Sequence, residues 1–134
     1  MDQIIRLDSQ ITATPKPAYW HRLFEGCQTQ PHQQFFLVAK RGEALLGFIA
    51  GEIRAWEFGS PPCGWIFAIA VDPDTRLEAI GSALFEAVCG HFRQEGVTKV
   101  RTMIARDAQL VMSFFRSQGM MAGPFIELEK EIDE

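Results

Sequence analysis

The sequence predicts an α/β (α+β) domain with a mixed, mostly antiparallel central sheet flanked by helices. Three observations carry this. Strand-like segments cluster between Phe35 and Val71, and only afterwards do strands and helices alternate. Trp65 to Val71 is almost continuously apolar, as a central strand buried on both faces requires. From Ala79 the apolar period changes: Ile80, Ala83, Leu84, Ala87, Val88 and then His91 or Phe92 fall on one helical face.

Taken in order, Ile4 to Ile11 reads as a short strand, broken by Pro15 and Pro17. Lys16 to Cys27 reads as a helix, with Tyr19, Trp20, Leu23 and Phe24 at helical spacing and Pro17 in a first turn, where a missing N–H is harmless. Gly26 is the expected stop. Phe35–Lys40 and Leu45–Phe58 form a hairpin about the turn Arg41-Gly42-Glu43, and Gly47 and Gly51 within it suggest a bulge or a close backbone approach. Gly59 to Pro62 is a turn. The helix that opens at Ala79 closes at Gly96. Val97–Ile104 is a further strand. Asp107 is the expected N-cap of a helix ending at Gln118–Gly119, and Pro124–Ile132 is expected to be a last strand with a charged face.

The 134 residues fit one domain, 1–134, large enough for a core without staples. Hydrophobic residues make up 47% and charged residues 22%, a globular balance, and the net charge of −4 does not suggest a nucleic-acid or anionic-membrane partner, though an acidic chain can still carry a local positive site for an anionic ligand. Cys27, Cys63 and Cys89 are too few and too widely spaced for a disulfide framework or a zinc site, so no metal is expected. Neither a signal-peptide pattern nor a membrane-length apolar run is visible, and the expected location is cytoplasmic.

Chemistry points to Ile69 through Leu84. There an apolar strand runs into a short loop with Arg76, then into a helix that opens at small residues. A helix start presents unpaired N–H groups and the positive end of the dipole, which suits phosphate. Such a turn also serves packing alone, and the residues by themselves leave both readings open.

Val71-Asp72-Pro73, then Arg76-Leu77-Glu78-Ala79-Ile80-Gly81, then Leu84 resembles the acyl-coenzyme A loop of the GNAT N-acetyltransferase superfamily. Phe114-Phe115-Arg116-Ser117-Gln118-Gly119-Met120 resembles a second block of that family, and Pro124–Lys130 its closing strand. The resemblance spans Phe35 to Ile132 well and the N-terminal third weakly, where one helix is found and the family has two. It implies a GNAT-like fold with acetyl-CoA, or another acyl-CoA, as co-substrate. The pyrophosphate would lie on Arg76, Leu77, Glu78, Ala79, Ile80, Gly81 and Ser82. The pantetheine arm would pair with Ile69, Ala70 and Val71, the thioester would lie where that strand splays from the next at a bulge, and Phe115 would sit near the sulfur.

This chain departs from the pattern in several places. Ala79 replaces the first loop glycine, and Leu77 and Glu78 replace small or basic residues. Ala108 stands where the family has asparagine, Phe115 where it often has tyrosine, and Trp65 where many relatives have a carboxylate. A thiol of pKa about 8.5 leaves without much help. Loss of a general acid therefore slows transfer by roughly 10² to 10⁴ without abolishing it. Glu52 is the candidate base, and its alternative role is a solvated partner of Arg54; Glu57, near a turn, is a lesser candidate. Trp56, Trp65 and Phe67 either wall an apolar acceptor pocket or pack the core. His21, His32 and His91 read as surface or packing residues.

The expected activity is direct transfer of an acetyl or similar group to a primary amine, on a small molecule or a peptide. Two alternatives stand beside it: a non-catalytic acyl-CoA-binding regulatory module, and a protein-interaction domain that has lost coenzyme A. A homodimer through a strand edge or the N-terminal helix is compatible with the sequence, which does not fix it.

Overall fold

The computed structural model describes residues 2–12, 16–74 and 77–132, the side chains of 9–12 and 77–78 excepted. Helices α1 (Asp2–Thr12) and α2 (Pro17–Thr29) come first. Strands β1 (Gln34–Arg41), β2 (Ala44–Arg54) and β3 (Cys63–Val71) follow, then helix α3 (Leu77–Gln94), strand β4 (Val100–Thr102) and helix α4 (Gln109–Ser117). The sheet order is β1-β2-β3-β4, with two antiparallel pairs and a parallel β3–β4 pair, so the sheet is mixed and mostly antiparallel as expected. Among the described residues, no helix is long and apolar enough to cross a membrane.

The two faces carry separate cores. On one, Ile4, Leu7, Trp20, Phe48 and Ala70 join α1 and α2 to the sheet. On the other, Ile49, Ile66, Leu84, Val88, Phe92, Phe114 and Phe115 join α3 and α4 to it. A bulge lets β3 serve both. Ala50 pairs with Ala68 but Gly51 pairs with Ile66, which leaves Phe67 as an extra residue. Side-chain parity therefore flips at Phe67, so Ile66 and Ile69 meet the α3 face while Ala68 and Ala70 meet the α2 face.

Glycines let α3 lie close to the sheet. A Cβ at Gly64 would stand 2.4 Å from the Phe92 ring, and one at Gly51 would stand 2.9 Å from it. At the far end of α3, Gly96 takes φ +79, Val97 N–H donates to Phe92 O (3.0 Å) and Gly96 N–H to Arg93 O (3.0 Å). Gly119 closes α4 in the same way, with φ +92, its N–H donating to Arg116 O (2.9 Å) and Met120 N–H to Phe115 O (3.1 Å). Both helix ends thus follow the glycine signal in the sequence.

Several expectations are corrected. Ile4–Ile11 is helical, not a strand: Ile4, Leu7 and Asp8 are buried on one helical face, and the N-terminal pair of helices is complete. Gly26 lies inside α2 instead of ending it. β2 stops at Arg54, because Trp56 (φ 64) and Phe58 (φ 52) turn left-handed about a 3-10 turn at Glu57–Gly59. β4 is only three residues long, Val97 being used in the cap of α3. Ala108, not Asp107, is the N-cap of α4, and no side chain caps it. Pro124–Ile132 forms no strand. Its alternation finds no strand partner among the described residues, and without one an alternating segment is not held as sheet. Phe125 instead lies against the Arg101 guanidinium, 5.0 Å from centroid to Cζ.

Candidate active site

Strands β3 and β4 stay together for three residue pairs, Gly64 with Val100, Trp65 with Arg101 and Ile66 with Thr102. Thr102 Oγ1 donates to Ile66 O at 2.8 Å and marks the end of contact. The bulge at Phe67 follows at once. Beyond it the two strands separate, and a cavity of about 290 Å³ opens through the sheet. Its walls come from both layers: Asp8 of α1, Tyr19 and Trp20 of α2, Phe48 of β2, Ile66–Ile69 of β3, and Val111 and Phe115 of α4.

Among the described residues, the charged groups of the cavity lie on the α1–α2 side. Lys16 Nζ pairs with Asp8 Oδ2 at 2.5 Å, and the same oxygen accepts from Trp20 Nε1 at 3.2 Å. Burial pushes the Tyr19 hydroxyl pKa up, with Glu52 and Asp8 adding to the rise by opposing a negative phenolate. Thr102 and Met103 complete the β4 side. Sequence reasoning missed Asp8 because α1 was read as a strand. It missed the place of Tyr19 on the cavity wall because helical spacing says which residues share a face, not what that face meets.

Of the sequence-predicted residues, Ile69 and Phe115 line the cavity. Phe115 is buried and sits edge-on to Phe85 (6.1 Å) and Phe114 (5.2 Å), so its ring is held firmly. Ala70 faces the α2 core, and Val71, paired with Gly47, is buried. Arg76 lies outside the described residues. Leu77 and Glu78 open α3, with Ala79 exposed, Ile80 half-buried and Gly81 buried. Ser82 Oγ accepts from Gln118 Nε2 at 2.9 Å, which ties the start of α3 to the end of α4.

Glu52 pairs across β3 with Trp65 and does not line the cavity. Its Oε1 accepts from Arg54 Nε at 2.9 Å, and that guanidinium covers the Trp65 ring at 4.5 Å. Phe67 is a cavity wall, whereas Trp56 is 68% exposed and outside it. Glu57 is exposed on the 3-10 turn. His91 stacks on Phe35 (5.2 Å), His32 Nδ1 lies 3.2 Å from Glu95 Oε2, and His21 is exposed; none lines the cavity. Burial raises the Cys27 and Cys89 thiol pKa values, which makes them poor nucleophiles near neutral pH.

A splayed parallel strand pair beside a helix start is the geometry that the loop motif implies. Residues 1–120 match the family model for the acetyltransferase (GNAT) family. The chain belongs to that family. Mycothiol acetyltransferase of Kocuria rhizophila is 30% identical over 77 residues, covering 58% of this chain and 25% of that protein. The chain thus spans about a quarter of the length of the curated relatives it matches. Among solved structures, AAC(6')-Iy in complex with the bisubstrate analogue CoA-S-monomethyl-acetylneamine superposes with a TM-score of 0.82. It is 16% identical, over 98% of this chain and 91% of that one. The aminoglycoside antibiotic 6'-N-acetyltransferase AAC(6')-Ih of Acinetobacter baumannii gives a TM-score of 0.78 at 18% identity, over 98% and 91%. At these identities the shared property is the GNAT fold.

Proposed function

We propose that this GNAT domain transfers an acetyl or similar acyl group from an acyl-coenzyme A directly to a primary amine. The observation that carries the reading is the separation of β3 from β4 after Ile66–Thr102. It opens a cavity between Ile69 and Phe115, while α3 begins a few residues after β3 ends. Arg76 and the backbone of Leu77–Ser82 would hold the pyrophosphate. The edge of Ile69–Val71 would hold the pantetheine amides as an added strand does. Phe115 would pack beside the sulfur.

The thioester supplies an activated carbonyl. As the amine nitrogen forms the new C–N bond, the C–S bond breaks and the thiolate leaves with the electron pair. The nitrogen gives up its proton, by this proposal to Glu52 through water, and the thiolate is reprotonated from solvent. Positioning of the two substrates by the cavity walls supplies most of the acceleration. On this basis Glu52→Gln is expected to lower kcat by about 10². Turnover unchanged from pH 6 to 9 would leave Glu52 with only its Arg54 contact. The reaction is proposed for the cytoplasm.

A second reading, an acyl-CoA-binding module without turnover, is favoured by Phe115 and Trp65, apolar side chains at the places where the family resemblance implies reactive groups. Thermal melting with acetyl-CoA separates the readings. At about a hundred times Kd, a ligand adds about 2.7 kcal/mol, which corresponds to roughly 8 °C for a domain of this size. Gly81→Glu is expected to abolish the shift by placing a carboxylate against the pyrophosphate, and Arg76→Ala to weaken it. A shift without turnover against an amine panel would support the binding module. No shift at saturating ligand would overturn both readings and leave a protein-interaction domain.

A further inference from the structure

We infer that the acceptor of this cavity is a small primary amine on an apolar, aromatic-sized body that carries no second positive charge. The inference rests on the acyl-transfer reading and concerns the acceptor half of the same site.

Charge decides it first. Among the described residues, Asp8 and Lys16 are the only charged side chains lining the cavity, and they neutralise each other in an ion pair. Asp8 is 7% exposed and also accepts the Trp20 N–H, so its carboxylate is engaged from two sides. Glu52, close enough to act on Tyr19, is engaged by Arg54. In the sequence between Asp8 and Lys16, Ser9 to Pro15 contribute no charged side chain. A second ammonium entering this cavity would lose its water and meet a carboxylate that already has a cation. A desolvated charge without a counter-charge is strongly disfavoured.

Shape and chemistry agree with charge. Tyr19, Trp20, Phe48, Phe67 and Phe115 present aromatic surface to the cavity. About 290 Å³ is at the lower end of small-molecule sites, and the acyl terminus must share it. An apolar cavity also favours the neutral form of an amine, which is the form with the lone pair needed for attack.

The test compares 2-phenylethylamine with 1,5-diaminopentane, which are similar in length and differ in charge. Thiol release from acetyl-CoA reads turnover. Melting with each amine, alone and with coenzyme A, reads occupancy. The monoamine is expected to exceed the diamine in kcat/KM by at least about tenfold, and it alone should raise the melting temperature. Equal or better use of the diamine would overturn the inference. An acetyl-CoA shift with no effect of 2-phenylethylamine on melting or turnover would also overturn it, leaving the acyl-CoA reading intact. Failure of acetyl-CoA itself to bind would strike that reading, and the melts with amine alone would still decide the cavity's preference. Lys16→Gln supplies the converse. With the cation removed, Asp8 can receive a second ammonium, and the preference is expected to move toward the diamine by about tenfold. An unchanged preference in a folded Lys16→Gln protein would overturn the charge argument.

Discussion

Trp20→Ala is expected to lower the free energy of unfolding by about 4 kcal/mol, at the upper end for deletion of a buried aromatic side chain. Trp20 is 1% exposed and is the centre of the α1–α2 layer. Its ring meets Phe48 edge-on at 5.2 Å and Phe36 at 5.9 Å, and α1 reaches the sheet through the same cluster. The substitution also removes the Nε1 donor from buried Asp8, so a hydrogen bond to a carboxylate is lost along with packing. Trp20→Phe separates the two contributions: it keeps most of the packing, loses the donor, and should cost about 1.5 to 3 kcal/mol. Urea unfolding measures both. A loss under about 1 kcal/mol for Trp20→Ala would show that the α1–α2 layer does not unfold with the sheet. By the acyl-transfer proposal the same variant should also lose selectivity among amines, since Trp20 is a wall of the cavity.

Gly64→Val is expected to destabilise by about 3 kcal/mol, through overpacking rather than a cavity. A Cβ at Gly64 would lie 2.4, 2.5 and 2.7 Å from three atoms of the Phe92 ring. That ring is 2% exposed and is enclosed by Phe35 and Val88, so it has little room to retreat. Gly64 also pairs with Ile53 on one side and Val100 on the other, which fixes its backbone in the sheet. The diagnostic is a double-mutant cycle with Phe92→Ala. Each single change should be costly, but the pair should cost clearly less than their sum, because the valine fills space vacated by the ring. Strict additivity in chemical denaturation would mean that the two positions do not share the contact.

The helix α3, the strands β1 to β3, the turns at Gly42 and Gly59, and the glycine-ended helices could be read from the chain directly. Each is set by local physics: an apolar period of 3.6 from Ile80, a continuous apolar run at Trp65–Val71, and a left-handed residue where glycine is available. The loop motif that led to the GNAT family was equally local. α1 was not legible, because Ile4, Ile5, Leu7 and Ile11 in so short a segment fit a strand as readily as a helix until Trp20 and Phe48 give one face a place to bury. The closing segment failed in the opposite direction. Ile126, Glu127, Leu128 and Glu129 alternate as a strand should, yet a strand exists only where another backbone pairs with it.

The sequence by itself determined the fold class, the family and the position along the chain of the strand and the helix that flank the Arg76 turn, since these depend on neighbours within a few residues. Tertiary structure decided what the cavity walls are made of. Asp8, Lys16 and Tyr19 face Phe67 and Phe115 only because a one-residue bulge and a three-pair β4 pull the sheet open there. Whether a carboxylate is available to a cation depends on which other side chain has reached it first, and that is a property of distances in space, not of spacing in the chain.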